Sequence, residues 1–116
     1  DERRAMVNAY VGGELVGNVS LTPVGHRARV RHRCVIGIAV RRALWGQGLG
    51  RQLLAEAIAL AGRMGYLQAE LGVFADNARA IALYESLGFE TWGRVRGACR
   101  MPDGRLRDEL MMGRIL

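Results

Sequence analysis

Lysine is absent from this chain of 116 residues; its 17 basic side chains are all arginine, against 11 acids, for a formal charge of +6. A P-loop is thereby excluded, because it needs Lys and then Ser or Thr directly after its last glycine. The charge itself favours anionic partners such as phosphates, acidic peptides or nucleic acid. Cysteine is scarce. Cys34 and Cys99 stand far apart, form no CxxC pair, and with His26 and His32 supply too few ligands at metal spacing. No metal is expected, and the thiols point to a reduced, cytoplasmic compartment. No apolar run approaches the ~20 residues of a membrane span, so no membrane partner is expected. The opening Asp1-Glu2-Arg3-Arg4 lacks the features of a signal peptide. An initiator Met is missing too, and the expectation is that residues once preceded Asp1. With no internal repeat, low-complexity tract or linker, residues 1–116 read as one domain with a small core.

What is present is organised around one stretch. Val35-Ile36-Gly37-Ile38-Ala39-Val40 is a short, β-branched run and reads as a buried strand. Gly46, Gly48 and Gly50 follow, and then Leu49, Leu53, Ala57, Ile58 and Ala61 fall on one helical face. Gly65, just past Met64, suits the position after the helix end. Strand, glycine loop and helix start together make a phosphate site. The first amides of a helix lack intrahelical partners, the macrodipole adds partial positive charge, and glycine keeps side chains out of the way. Arg51 adds a full charge. A dinucleotide fingerprint remains a rival: Arg51 stands where its third glycine belongs, but Glu70 lies near the ribose-binding position. A plain strand-to-helix turn is the other alternative.

Along the chain, Met6 to Val11 and Leu15 to Leu21 read as a hairpin turned at Gly12-Gly13-Glu14, with Pro23 and Gly25 closing the second strand. From His26 to Arg33, arginines fall at every second place. Strand geometry would put Arg27, Arg29, Arg31 and Arg33 on one face. A solvated strand face is the expected meaning; nucleic-acid binding is disfavoured because no aromatics interleave for base stacking. Tyr66 to Phe74 reads as a strand, parallel to the first across a helical crossover. Asn77 reads as the N-cap of a helix closed by Gly88, and Tyr84 shares its face. Phe89 to Val95 and Leu106 to Leu116 read as final strands around the turn Pro102-Asp103-Gly104. The expected order is β-β-β-α-β-α-β-β, a mixed α/β fold.

Two of these segments resemble the GNAT superfamily of acetyl-CoA-dependent N-acetyltransferases, in its bacterial form. Ile38-Ala39-Val40 with Gly46-Gln47-Gly48-Leu49-Gly50-Arg51 is similar to the family's pyrophosphate loop. Val73 to Phe89, with Asn77, Ala80, Leu83-Tyr84 and Gly88-Phe89, is similar to its N-x-x-A-x-x-L-Y-x-x-x-G-F segment. Asp103-Gly104-Arg105 and Asp108-Glu109-Leu110-Met111-Met112 are similar to the tail of a bacterial branch. The departures are Trp45, where the family has Arg or Gln, and Val35 and Gly72, at the two places where a general-base Glu is often found. The family usually begins with a strand and two helices that shape the acceptor pocket. Their absence here implies an N-terminally incomplete domain.

The resemblance implies a central mixed sheet with a splayed parallel pair, and direct acetyl transfer from acetyl-CoA to an amine without a covalent enzyme intermediate. It implies that Gly46, Gln47, Gly48, Leu49, Gly50 and Arg51 hold the pyrophosphate. The backbone of Ile38, Ala39 and Val40 would pair with the pantetheine arm, which Asn77 also contacts. Tyr84 would be the general acid that protonates the leaving thiolate. With Val35 and Gly72 at the usual base positions, proton removal is expected through water; Glu70, taken as a surface residue, is the fallback base. Cys34 is read as core, with no partner to make it a nucleophile. The acceptor is an unidentified peptide or small-molecule amine, and a homodimer is an allowed state. The alternative function is a non-catalytic module that binds CoA or, through its arginines, nucleic acid.

Overall fold

The structure, a computed structural model, describes residues 2–116. The elements are β1 (Ala5–Val11), β2 (Glu14–Pro23), β3 (Arg33–Val40), a 3-10 turn (Arg42–Leu44), α1 (Leu49–Arg63), β4 (Gln68–Phe74), α2 (Ala78–Ser86), β5 (Glu90–Arg100) and β6 (Leu106–Ile115). The strand order is β1-β2-β3-β4-β6-β5 in one mixed sheet, the expected α/β class. The chain divides into two compact units, one running to Ala69 with Ile115 and Leu116, the other from Glu70 to Arg114.

In the first unit β1 and β2 pair antiparallel and turn through Gly12 and Gly13, at φ +57° and +83°. A two-residue hairpin of this hand needs positive φ at both positions, which is why two glycines stand there. β2 pairs antiparallel with β3, Gly17 opposite Val40 and Pro23 opposite Cys34. Val16, Val19 and Leu21 of β2, Cys34 and Ile36 of β3, and Leu53, Leu54, Ala57 and Ala61 of α1 are buried. A Cβ at Gly17 would lie 3.1 Å from the Leu53 side chain and 3.0 Å from the Ala39 carbonyl, so glycine there lets the helix sit close. α1 ends as expected: Met64 is its C-cap and Gly65 follows at φ +89°.

The strand expected over His26 to Arg33 is corrected: residues 24–32 are bends and turns, and β3 begins only at Arg33. Val24 donates its amide to the Arg33 carbonyl, Val30 to Arg27 and Arg33 to Val30. These local bonds close a reversal between two antiparallel strands, and among the described residues no strand pairs with 24–32 to hold Arg27, Arg29 and Arg31 in extended register. Arg27, Arg29 and Arg31 are exposed on that turn.

In the second unit α2 follows β4, and β5 and β6 form a long antiparallel hairpin with register shifts at Thr91/Gly93 and Val95/Cys99. Leu71, Val73, Tyr84, Phe89 and Met112 make its core. The expected turn at Pro102-Asp103-Gly104 forms, with Met101 donating to the Arg105 carbonyl at 2.8 Å and Gly104 at φ +88°.

Candidate active site

Past Val40 the chain makes its 3-10 turn and then bends through Gly46 and Gly48, at φ +81° and +86°. Trp45, the departure from the family loop, anchors this bend: its indole N–H donates to the Val40 carbonyl at 2.8 Å, and Arg42 stacks 5.3 Å from its ring centre. Gln47 donates to the Ala43 carbonyl at 3.4 Å. Gly48 is the N-cap of α1, and the first helical bond runs from Gln52 N–H to the Gly48 carbonyl. The amides of Leu49, Gly50 and Arg51 therefore precede the helical ladder. No side chain caps this end and no acid lies in the first turn. Three amides ahead of the helical ladder and a helix dipole with no acid in its first turn suit a phosphate. A Cβ at Gly48 would meet nothing within 4 Å, so the approach to the helix start is open. Of the strand residues expected to pair with a pantetheine arm, Ala39 is exposed and Ile38 and Val40 are half-buried. The Val40 carbonyl already accepts the indole proton.

The second unit contributes a pocket of about 200 Å³ between the end of β4, the first turns of α2 and the middle of β6, lined among others by Gly72, Phe74, Asn77, Tyr84 and Glu109. Asn77 caps α2, its Oδ1 accepting from the Ala80 amide at 3.1 Å, and Tyr84 lies two turns on along the same face. Tyr84 is 8% exposed, its ring packs edge-on to Phe89 with centroids 6.2 Å apart, and burial raises its phenol above the ordinary value. A buried phenol that holds its proton is a donor, which is the property a general acid needs. Beside the pocket, Arg107 lies 3.6 Å over the Phe74 ring and pairs with Asp76 at 2.5 Å. That hydrogen bond holds the Asp76 carboxyl below the usual range.

The pocket brings Tyr84 and Asn77 together and leaves Glu70 out of its lining. Glu70 is also buried, at 7% exposure, where a surface position was expected. β4 is an interior strand with both faces covered along most of its length, so alternation with Leu71 does not put Glu70 in water. Glu109 was not singled out as a site residue. A Cβ at Gly72 would lie 2.9 Å from Glu109 Cδ and 3.0 Å from Oε1. No local pattern reveals this, because the adjacency of β4 and β6 is a long-range fact; the vacancy at Gly72 was the available signal.

A mixed six-stranded sheet with two helices is the fold of acetyltransferases of known structure. The Acetyltransferase (GNAT) family model matches residues 1–89, and the chain belongs to that family. It is 38% identical over 99 residues to the N-alpha-acetyltransferase RimI of Mycobacterium tuberculosis, covering 79% of this chain and 60% of that protein. It is 43% identical over 90 residues to an uncharacterized protein of Mycobacterium leprae, 74% of this chain but only 24% of that protein. The matched segments thus span less than two thirds of either relative. The structure of yncA from Salmonella typhimurium, solved with acetyl-CoA, superposes with a TM-score of 0.91 at 27% identity, covering 99% of this chain and 66% of that one. No helix among the described residues is long and apolar enough to cross a membrane.

Proposed function

We propose that residues 1–116 work as an N-acetyltransferase domain that moves acetyl from acetyl-CoA directly to an amine, in the cytoplasm. The observation that carries this reading is the helix start at Gly48. It has open amides, no acid and no side-chain cap, in a chain whose family model covers that segment. In this reading Gly46 to Arg51 receive the pyrophosphate, the backbone of Ile38 to Val40 at the end of β3 and the Asn77 side chain meet the pantetheine arm, and Tyr84 protonates the leaving thiolate. The acceptor nitrogen attacks the thioester carbonyl, the C–S bond breaks, and an N–C bond forms.

A thermal-shift comparison tests it. A ligand that binds only the native state raises the unfolding midpoint by mass action. Acetyl-CoA and CoA should each raise it, while NAD and a short DNA duplex should not. A shift with NAD alone would restore the dinucleotide reading of the glycine loop, and a shift with DNA alone the arginine-based one.

A further inference from the structure

Gly72 and Glu109 compete for one volume. The carboxylate of Glu109, on β6, occupies the place a side chain on β4 would claim at residue 72: a Cβ there would lie 2.9 Å from Cδ and 3.0 and 3.2 Å from the two oxygens. A Cβ at that distance would make the carboxylate end of Glu109 shift, and with glycine at 72 it rests against β4. Residue 72 is also one of the two positions left without a base in this sequence. The carboxylate missing from β4 is thus supplied by the next strand, into the same space. It lines the pocket that holds Tyr84 and Asn77. Its neighbours fit a proton acceptor. Across the hairpin Glu109 faces Val95, an apolar residue. Arg107, two residues back on the same face, is engaged with Phe74 and Asp76. From α2 the titratable group is Tyr84.

We propose that Glu109 is the catalytic base, binding the acceptor's ammonium group and taking its proton before attack. The proposal rests on the N-acetyltransferase reading and assigns its missing partner. The ammonium gives one proton to Glu109, which passes it to solvent. The neutral nitrogen adds to the thioester carbonyl, the intermediate collapses with cleavage of the C–S bond, and the thiolate takes the Tyr84 proton. The proton shed by the new amide nitrogen returns through water to Tyr84. The products are amide, CoA thiol and one free proton, so the step balances.

The test uses the purified protein, acetyl-CoA and three amine probes: an alanine-initiated peptide, an N-blocked lysine peptide and spermidine, scored by thiol release. Glu109→Gln, nearly isosteric, should bind acetyl-CoA like the parent by calorimetry while losing ~10²-fold or more in kcat/KM for the amine that is turned over. Gly72→Glu combined with Glu109→Ala returns a carboxylate to the shared volume from the other strand and should recover at least about tenfold of that loss, a rescue that a merely structural role for Glu109 would not give. Glu109→Gln turning over at the parent rate overturns the proposal. So does Glu70→Gln losing the rate while Glu109→Gln keeps it, or a folded double variant with no recovery. Failure of the parent itself to bind acetyl-CoA is a different result, and overturns the functional reading beneath.

Discussion

At Tyr84 burial and chemistry pull the same way. The pocket wall raises the phenol above its ordinary value near 10, so the oxygen keeps its proton throughout the neutral range. Replacing Tyr84 by Phe keeps the ring against Phe89 and removes only the donor. Turnover should fall ~10²–10⁴-fold with acetyl-CoA affinity unchanged by calorimetry. The parent rate should hold up to about pH 10 and decline only above it, a limb missing from the variant. Equal turnover in the two proteins, measured where chemistry limits the rate, would leave Tyr84 as a packing residue. The sign for stability runs the same direction: a raised folded value contributes below the unfolded pKa and is lost as pH climbs through the folded one. Gly48 raises a different question, because φ +86° strains any replacement even though a Cβ there touches nothing. Gly12, at φ +57° and equally open, is the matched control in the hairpin. Gly48→Val should abolish acetyl-CoA binding and Gly12→Val should not, each with retained far-UV circular dichroism. Equal affinity in both would mean that no phosphate sits at the helix start.

Among the elements, those with punctuation were legible. Gly12-Gly13, Gly65, Asn77, Gly88 and Pro102-Asp103-Gly104 each mark a terminus by local backbone chemistry, and the observed elements end within a few residues of them. The arginine run departs from a strand because alternation is only half of one; the other half is a paired neighbouring strand, and among the described residues, 24–32 make turn and loop hydrogen bonds and no ladder. The burial of Glu70 and the place of Glu109 have one cause beyond local pattern, since both depend on which strand lies next to β4. The β5–β6 hairpin shows an equally long-range device. Asp108 accepts from the Gly97 amide at 2.8 Å and from Arg94 at 2.7 Å, spanning the register shift between Val95 and Cys99. The Gly97 bond, and then the Arg94 bond, hold its carboxyl below the ordinary range. A depressed carboxylate contributes above its unfolded pKa near 3.9, and the contribution is lost as pH falls through the lower folded value. Asp108→Asn should therefore unfold earlier than the parent in urea at pH 7, with the gap narrowing as pH falls below the unfolded value near 3.9. A gap that stays constant across that range would show the charge to be irrelevant to the hairpin.

Over the whole molecule the net charge of +6 invites the arginine-based reading, and the placement of the arginines argues against it as an explanation of cofactor binding. Arg27, Arg29 and Arg31 lie on the turn that precedes β3, whereas the glycine loop follows the end of the same strand. The eight residues of β3 at about 3.3 Å each hold the two some 25 Å apart. At 0.1 M ionic strength the Debye length is about 10 Å, so the field of the turn is largely screened before it reaches the helix start. Charge at that turn can steer an acidic acceptor or a nucleic acid, but it adds little to a phosphate bound at Gly46 to Arg51. Replacing Arg27, Arg29 and Arg31 together by Gln should then leave acetyl-CoA affinity within about twofold of the parent at physiological salt. The substitutions lie on exposed turn positions, so the fold should tolerate them. Retention on a short DNA duplex at low salt should fall, since each lost phosphate contact flattens the salt dependence. A large loss of acetyl-CoA affinity in that variant would place the cofactor's phosphates at the arginine turn and remove them from the glycine loop.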